Sequence, residues 1–71
     1  MSYTNTFGKR LKKIRKKNNL TQRDLAQLLS VSPQAISWWE QGKRFPTGKM
    51  LIKIADYFNV SIDYLVGRLD K

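Results

Sequence analysis

Lysine and arginine side chains carry the clearest chemistry in this sequence, because they outnumber the acidic side chains almost three to one. The 71 residues include 14 Lys and Arg but only 5 Asp and Glu, which gives a net charge of +9. Eleven of the basic and two of the acidic residues lie within 1–49, whereas 50–71 holds three of each. A basic surface of this kind is typical of proteins that bind the phosphates of a polyanion. We therefore expect the first part of the chain to face phosphate.

The amino-acid composition also argues against catalysis. There is no histidine and no cysteine, and the five carboxylates are scattered along the chain: Asp24, Glu40, Asp56, Asp63 and Asp70. An active site needs several such side chains close together, as a nucleophile with its base, as an acid–base pair or as the ligands of a metal ion. We thus expect no enzymatic activity, no cofactor and no metal.

Because we find no secretory signal and no run of about 18 apolar residues, the sequence also predicts a soluble, cytoplasmic protein.

Apolar spacing predicts the helices that must position these side chains, with no strand pattern and no linker. The predicted core positions are Phe7, Leu11, Ile14, Leu25, Leu28, Leu29, Ile36, Trp39, Leu51, Ile54, Ala55, Phe58, Ile62, Leu65 and Val66. The predicted N-caps are Asn5 or Thr6 for a helix over about 6–18, then Thr21, Ser32, Thr47 and Ser61. The predicted ends are Asn18-Asn19, Leu29, Gly42, Asn59 and Gly67. The chain is therefore expected to be one all-α domain over 1–71.

The second and third predicted helices have the proportions of a helix-turn-helix. They are short, are separated by about three residues, and the later one starts at Ser32. Ile36 and Trp39 share one side of it, which leaves Trp38 on the other, because adjacent residues cannot both face inward. Ala26 is small enough to let the two helices approach closely. A unit of this kind places its second helix in the major groove of DNA.

A family resemblance covers residues 20–67, LTQRDLAQLLSVSPQAISWWEQGKRFPTGKMLIKIADYFNVSIDYLVG. This stretch resembles the Cro/cI-type helix-turn-helix family, also called the xenobiotic-response-element type. The matching positions are Leu20-Thr21-Gln22, Ala26, Val31-Ser32, Ile36-Ser37, Glu40, Gly42, Pro46 and Val60-Ser61. The resemblance implies a compact five-helix, lambda-repressor-like fold with the helix-turn-helix at about 21–41. It also implies a transcriptional repressor that binds a pseudo-palindromic operator as a dimer. The alternative is an antitoxin or controller-type protein-interaction module that also binds DNA.

By this resemblance, helix 33–41 lies in the major groove of double-stranded DNA. The residues expected to face the bases are Ser32, Pro33, Gln34, Ser37 and Trp38. Gln34 is the central one, because a glutamine amide can form two hydrogen bonds with the N6 and N7 edge of adenine. Trp38 is expected either to touch a thymine methyl or sugar–phosphate, or to be partly buried in the core. Pro33 has no donor, so any contact that it makes is through shape.

The resemblance also assigns residues to the DNA backbone. The expected phosphate contacts are Gln22, Lys43, Arg44, Lys49 and Arg10. Gln22 is expected to donate to a phosphate and still contact Gln34. Arg10 is expected to lie nearest to DNA in the basic helix one, together with Lys9. Lys49 stands in a first helical turn, where a cation opposes the helix dipole, so a phosphate contact would explain it.

Two further expectations concern the scaffold. The family pairs an arginine of helix one with a glutamate late in helix three, which implies a structural ion pair between Arg15 and Glu40. Ser30 stands where the family usually has a glycine with positive φ. Either Ser30 is therefore strained by about 1–2 kcal/mol, or the turn differs.

The neutral segment 50–71 suggests self-association. Tyr64, Val66 and Leu69 are the expected contacts of a homodimer. Dimers of this fold read half-sites about 34–36 Å apart, so the expected operator is a pseudo-palindrome. A regulatory protein partner also stays open, whereas no small-molecule effector is expected.

A membrane-active peptide is a different class that we considered, because helix one is cationic and amphipathic. Its apolar positions are Phe7, Leu11 and Ile14, which the other helices need as core. We therefore expect no membrane partner.

Overall fold

The computed structural model describes residues 3–69, and these residues form five α-helices joined by short loops. The helices are α1 (Tyr3–Lys17), α2 (Gln22–Leu29), α3 (Pro33–Glu40), α4 (Gly48–Phe58) and α5 (Ile62–Val66). No strand occurs within 3–69, and the predicted all-α class is confirmed. Helices α2 and α3 pack on each other, α1 packs on α3 and α5, and α4 contacts α2 and α5.

Side-chain caps begin four of the helices where the sequence predicts them. The hydroxyls of Thr21, Ser32, Thr47 and Ser61 accept hydrogen bonds of 3.0–3.2 Å from the backbone N–H groups three residues later. At α2 the cap is reciprocal, because Oδ2 of Asp24 accepts from the backbone N–H of Thr21 at 2.9 Å. These bonds lower the pKa of Asp24. Each cap of this type stabilises its helix by about 1 kcal/mol.

Helix α1 begins earlier than the sequence predicts. Either Asn5 or Thr6 is expected to cap it, but both lie inside a helix that starts at Tyr3, so this prediction is wrong. Their side chains instead lie against two glycines that end other helices. A Cβ on Gly42 would come within 2.3 Å of Oδ1 of Asn5, and one on Gly67 within 2.5 Å of Cγ2 of Thr6. These contacts are tertiary, so a local capping pattern does not reveal them.

The core is formed by the inward faces of all five helices. Its buried apolar residues are Phe7, Leu11, Leu25, Ala26, Leu29, Ile36, Trp39, Leu51, Ile54, Ala55, Leu65 and Val66. Leu28 and Ile62 were predicted to belong to it but are 44% and 37% exposed. The buried residues of α2 are Leu25, Ala26 and Leu29, so this helix packs through the face that holds Ala26 rather than Leu28. None of the helices described within 3–69 combines the length and apolar character needed to cross a membrane.

The turn between α2 and α3 contains a strained serine. Ser30 has φ 60° and ψ 43°, which is the left-handed conformation expected of the family's glycine. Its N–H is directed at the carbonyls of Ala26 and Gln27, and the N–H of Val31 donates to Ala26 at 2.9 Å. Of the two expectations for this position, the structure shows the strained serine. Ser30 therefore destabilises the fold by about 1–2 kcal/mol relative to a residue without Cβ.

Candidate nucleic-acid interface

Helix α3 has one buried and one outward side. Ile36 is fully buried and Trp39 is 7% exposed, so these two side chains attach the helix to the core. On the outward side Gln34 is exposed, and Ser37 is half-buried with its Oγ accepting from Nε2 of Gln41 at 2.6 Å. A hydroxyl that accepts in this way retains its own hydrogen for donation to a ligand.

Two other residues predicted to face the bases lie where α3 begins. Ser32 and Pro33 are both exposed. The hydroxyl of Ser32 accepts from the N–H of Ala35, so its lone pairs serve the helix cap. The outward side of α3 therefore presents the exposed amide of Gln34, with Ser37 and Trp38 one turn further along the helix. That is a surface suited to entering a groove.

A buried ion pair joins α1 to the last turn of α3. Nε of Arg15 donates to Oε2 of Glu40 at 2.6 Å and Nη2 donates to Oε1 at 3.0 Å, and the two side chains are 8% and 4% exposed. Nη1 of Arg15 also donates to the carbonyl of Leu20 at 2.7 Å. The predicted pair is confirmed. The hydrogen bond to Glu40 raises the pKa of Arg15, and the two parallel bonds fix the angle between α1 and α3.

Gln22 is attached to the same carboxylate. Its Nε2 donates to Oε1 of Glu40 at 3.1 Å, which replaces the contact with Gln34 that the sequence suggests. The amide keeps its second N–H, and this can donate to a phosphate. Because Arg15 fixes Glu40, it also fixes the direction of the Gln22 amide at the start of α2. The phosphate contact itself stays a prediction.

Gly8 lets α1 touch the backbone of α3. It is buried, and a Cβ at this position would lie 2.5 Å from the carbonyl oxygen of Trp39 and 2.8 Å from that of Glu40. Only a residue without a side chain fits such an approach. Our sequence reasoning missed Gly8. The available signal was a glycine next to Phe7 within an apolar helical face.

Trp38 and Arg44 are brought together at the C-terminal end of α3. Trp38 is half-buried on the outward side, and Cζ of Arg44 lies 4.4 Å from the centroid of its ring. This distance is typical of a cation–π interaction. A residue predicted to face the bases thus contacts one predicted to bind phosphate. Trp38 is partly buried, as the alternative expects, but it is not among the side chains that pack against the core.

Lys43 and Lys49 are exposed, as a phosphate contact requires. Within residues 3–69, the ammonium group of neither lysine forms an ion pair. Lys43 follows the end of α3, and Lys49 lies in the first turn of α4. Both charges are therefore available to a polyanion.

Arg10 has a structural role that the sequence does not predict. Its Nη1 donates to the carbonyl of Leu69 at 2.5 Å and to that of Tyr64, and its Cζ lies 4.5 Å from the ring centroid of Tyr64. The carbonyls at the end of a helix lack partners within the helix, and a cation there is favourable. Arg10 therefore holds α5 against α1. These bonds use Nη1 alone, and the phosphate contact of Arg10 stays a prediction.

The residues predicted to form a dimer interface are not equally accessible. Val66 is 8% exposed and belongs to the core with Leu65, so its prediction as an interface residue is wrong. Tyr64 is half-buried beneath Arg10, whereas Leu69 is 51% exposed. Helix α5 packs on α1 and α4, and its buried residues are Leu65 and Val66. Other exposed apolar side chains of segment 50–71 are Ile52, Tyr57 and Ile62.

Comparison with known proteins finds the same arrangement elsewhere. The sequence model of a family described as helix-turn-helix matches residues 11–65. Among solved structures, the c2 repressor of Salmonella phage P22, crystallised in complex with a synthetic operator, is similar with a TM-score of 0.79 and 36% identity. The match covers 83% of this chain and 89% of that one.

Curated relatives carry names of the same kind. An uncharacterized HTH-type transcriptional regulator of Methanocaldococcus jannaschii is 48% identical over 54 residues, which is 76% of this chain and 82% of that protein. The HTH-type transcriptional activator BcrR of Enterococcus faecalis is 45% identical over 61 residues, or 86% of this chain. This chain spans 30% to 52% of the length of several curated relatives that it matches.

Proposed function

We propose that this chain, which belongs to the Cro/cI-type helix-turn-helix family of DNA-binding transcription regulators, represses transcription by binding a specific operator with α3 in the major groove. The observation that carries the proposal is the outward side of α3. There Gln34 is exposed while Ile36 and Trp39 hold the helix to the core. A groove-reading helix needs this combination of a free polar face and a fixed position.

Repression is the proposed direction because the operator complex among the similar structures is that of a repressor. Activation, the role in the name of BcrR, is the competing direction. Selecting bound duplexes from a random library would first identify the operator. A reporter promoter that overlaps the selected sequence should then lose transcription when the chain is expressed, and a rise in transcription would contradict repression.

The roles of base contacts and backbone contacts can be separated by two substitutions. Gln34→Ala is expected to weaken binding to the selected operator by about 1–3 kcal/mol and to relax preference at one base pair, since it removes a bidentate contact. Arg44→Ala is expected to weaken binding to all sequences and to lower the salt slope by about one unit. Binding to a set of single-base operator variants, measured over a range of salt concentrations, checks both.

Gln27 supplies the matched control, because it is an exposed glutamine on α2 rather than on α3. Gln27→Ala should bind the operator and its variants as the unsubstituted chain does. If Gln34→Ala and Arg44→Ala reduced binding equally on every duplex, the division between base reading and phosphate binding would be wrong.

We further propose that two copies bind a pseudo-palindrome as a dimer, which forms through the C-terminal segment 50–71, where there is no net charge. Residues 50–71 hold three basic and three acidic side chains, so two such segments can meet without the electrostatic repulsion that two copies of the basic segment 1–49 would cause. Exposed apolar side chains support the same surface: Ile52, Tyr57, Ile62 and Leu69. Leu69 was expected at the interface from the sequence and is exposed, whereas Val66 is buried and is not part of the proposed interface.

The dimer is tested by sedimentation equilibrium, free and on a duplex with half-sites about 34–36 Å apart. Ile62→Asp and Leu69→Asp are expected to raise the dimer dissociation constant by about tenfold or more, since each places a charge in an apolar contact. Leu28→Asp is the control, because Leu28 is equally exposed but lies on α2. A monomer both free and on the duplex would rule out the proposed dimer.

A further inference from the structure

We propose that Trp38 is a positioning residue for Arg44, holding its guanidinium over the indole so that its N–H groups are presented to the DNA backbone beside α3. The inference rests on the proposed DNA-binding function. It assigns to Trp38 a role other than the base contact that the sequence suggests. The unit that contacts DNA at this end of α3 is then a stacked pair rather than two independent side chains.

The end of α3 returns the chain toward Trp38. Gly42 has φ 75°, a left-handed conformation that suits glycine. The N–H of Gly42 donates to the carbonyl of Trp39 at 3.2 Å, and that of Lys43 donates to the carbonyl of Trp38 at 2.9 Å. These two bonds form a Schellman motif, which satisfies the last carbonyls and reverses the chain. Arg44 comes next in the sequence and therefore lies over the ring of Trp38.

The stack leaves the donors of Arg44 available. A guanidinium carries five N–H groups in its plane, and one contact with a ring leaves most of them able to donate to another acceptor. Within the part of the chain that the structure describes, no carboxylate or carbonyl accepts a hydrogen bond from Arg44. Arg10 differs, because its Nη1 donates to the carbonyls of Tyr64 and Leu69. Arg44 is thus a cation that is held in place while its hydrogen-bonding edge stays unused.

The platform beneath Arg44 is itself fixed. Trp38 is half-buried on a helix whose neighbouring residues, Trp39 and Glu40, are tied to α1 and the core. An arginine on a flexible loop must lose side-chain freedom when it binds a phosphate, and this loss weakens binding. Holding the guanidinium before DNA arrives removes part of that loss. Lys43 lies one residue away and is exposed, so it serves as a basic side chain for comparison.

The proposal predicts that substitutions at Trp38 and Arg44 are not additive. On the selected operator, Arg44→Ala should weaken affinity about tenfold in the otherwise unchanged chain, but only about twofold when combined with W38A. Trp38→Phe keeps an aromatic face and should retain affinity within about threefold. Lys43→Ala should cause the same loss with and without W38A. Circular dichroism checks that every variant is folded.

A measurement without DNA reports on the stack itself. The Hδ protons of Arg44 should resonate upfield because of the indole ring current, should stay upfield in W38F, and should move to ordinary positions in W38A. Equal losses from Arg44→Ala with and without W38A would overturn the positioning role while leaving the proposed function intact, and so would ordinary Hδ positions in the unsubstituted chain. If the unsubstituted chain selected no duplex at all, the proposed function would fail and this proposal with it.

Discussion

Glu40→Gln is expected to remove about 3–5 kcal/mol from the free energy of unfolding, because it leaves the Arg15 guanidinium buried without its counter-charge. The side chains are 8% and 4% exposed, so water cannot replace the lost carboxylate. A domain of this size is stable by only about 4–10 kcal/mol in total. The variant should therefore be marginally folded. Urea unfolding followed by circular dichroism measures the loss.

The exposed ion pair between Asp63 and Arg68 gives the matched control. Its atoms are 3.6 Å apart and its side chains are 55% and 64% exposed. Asp63→Asn should therefore cost less than about 1 kcal/mol. Replacing both members of the buried pair with apolar residues, as Arg15→Met with Glu40→Leu, should recover much of the stability lost in Glu40→Gln. If Glu40→Gln were as mild as Asp63→Asn, the ion pair would not anchor α3.

The sign of the pH effect follows from the raised pKa of Arg15. A group whose pKa is raised by folding stabilises the protein fully below its unfolded pKa, and this stabilisation is lost as the pH rises through the folded pKa. For an arginine that range is strongly alkaline. The Arg15 contribution should therefore not change with pH near neutrality, which the unfolding midpoint at different pH values can show.

Gly8→Ala is expected to destabilise the fold by about 1–3 kcal/mol and also to weaken DNA binding, because the added Cβ meets backbone rather than a flexible side chain. The obstacles are the carbonyl oxygens of Trp39 and Glu40, at 2.5 and 2.8 Å. To relieve them, α3 must move away from α1, and its outward side moves with it. Urea unfolding gives the first effect, and operator affinity under conditions where the variant is folded gives the second.

Gly48 is the control for this substitution. It also lies in a helix, but a Cβ there would meet nothing within 4 Å. Gly48→Ala should therefore stabilise the protein by about 0.4–1 kcal/mol, since it restricts the unfolded chain. A Gly8→Ala variant with unchanged stability and unchanged operator affinity would show that the contact between α1 and α3 tolerates a side chain.

The parts of the fold that the sequence predicts correctly are those set by neighbouring residues. Thr21, Ser32, Thr47 and Ser61 begin their helices as expected, because a hydroxyl that caps a helix bonds only three residues ahead. The left-handed helix ends are equally local, since glycine and asparagine tolerate that conformation. The predicted start of α1 was wrong because the side chains of Asn5 and Thr6 lie against glycines far along the chain, Gly42 and Gly67.

The candidate site shows the same division. Two adjacent tryptophans on one helix, with Ile36 three residues before the second, are enough to place Trp39 inside and Trp38 outside. The partner of Arg10 could not be predicted, because its donors reach carbonyls 54 and 59 residues away. The contact of Gly8 with α3 depends likewise on how two helices cross. The position of Arg44 over Trp38 requires the reversal at Gly42, so only the spacing of the two residues around a glycine hinted at it.

The crossing of α1 with α3 and α5 has a consequence for biosynthesis. On the ribosome, α1 is made first, but the helices that cover its apolar side are made later, and the contact between Arg10 and Leu69 joins the two ends of the described chain. Phe7 and Leu11 must therefore stay uncovered while the rest is translated. Because the core is complete only when all five helices are present, the nascent chain should reach its native fold in one late step, after residue 69 has left the exit tunnel.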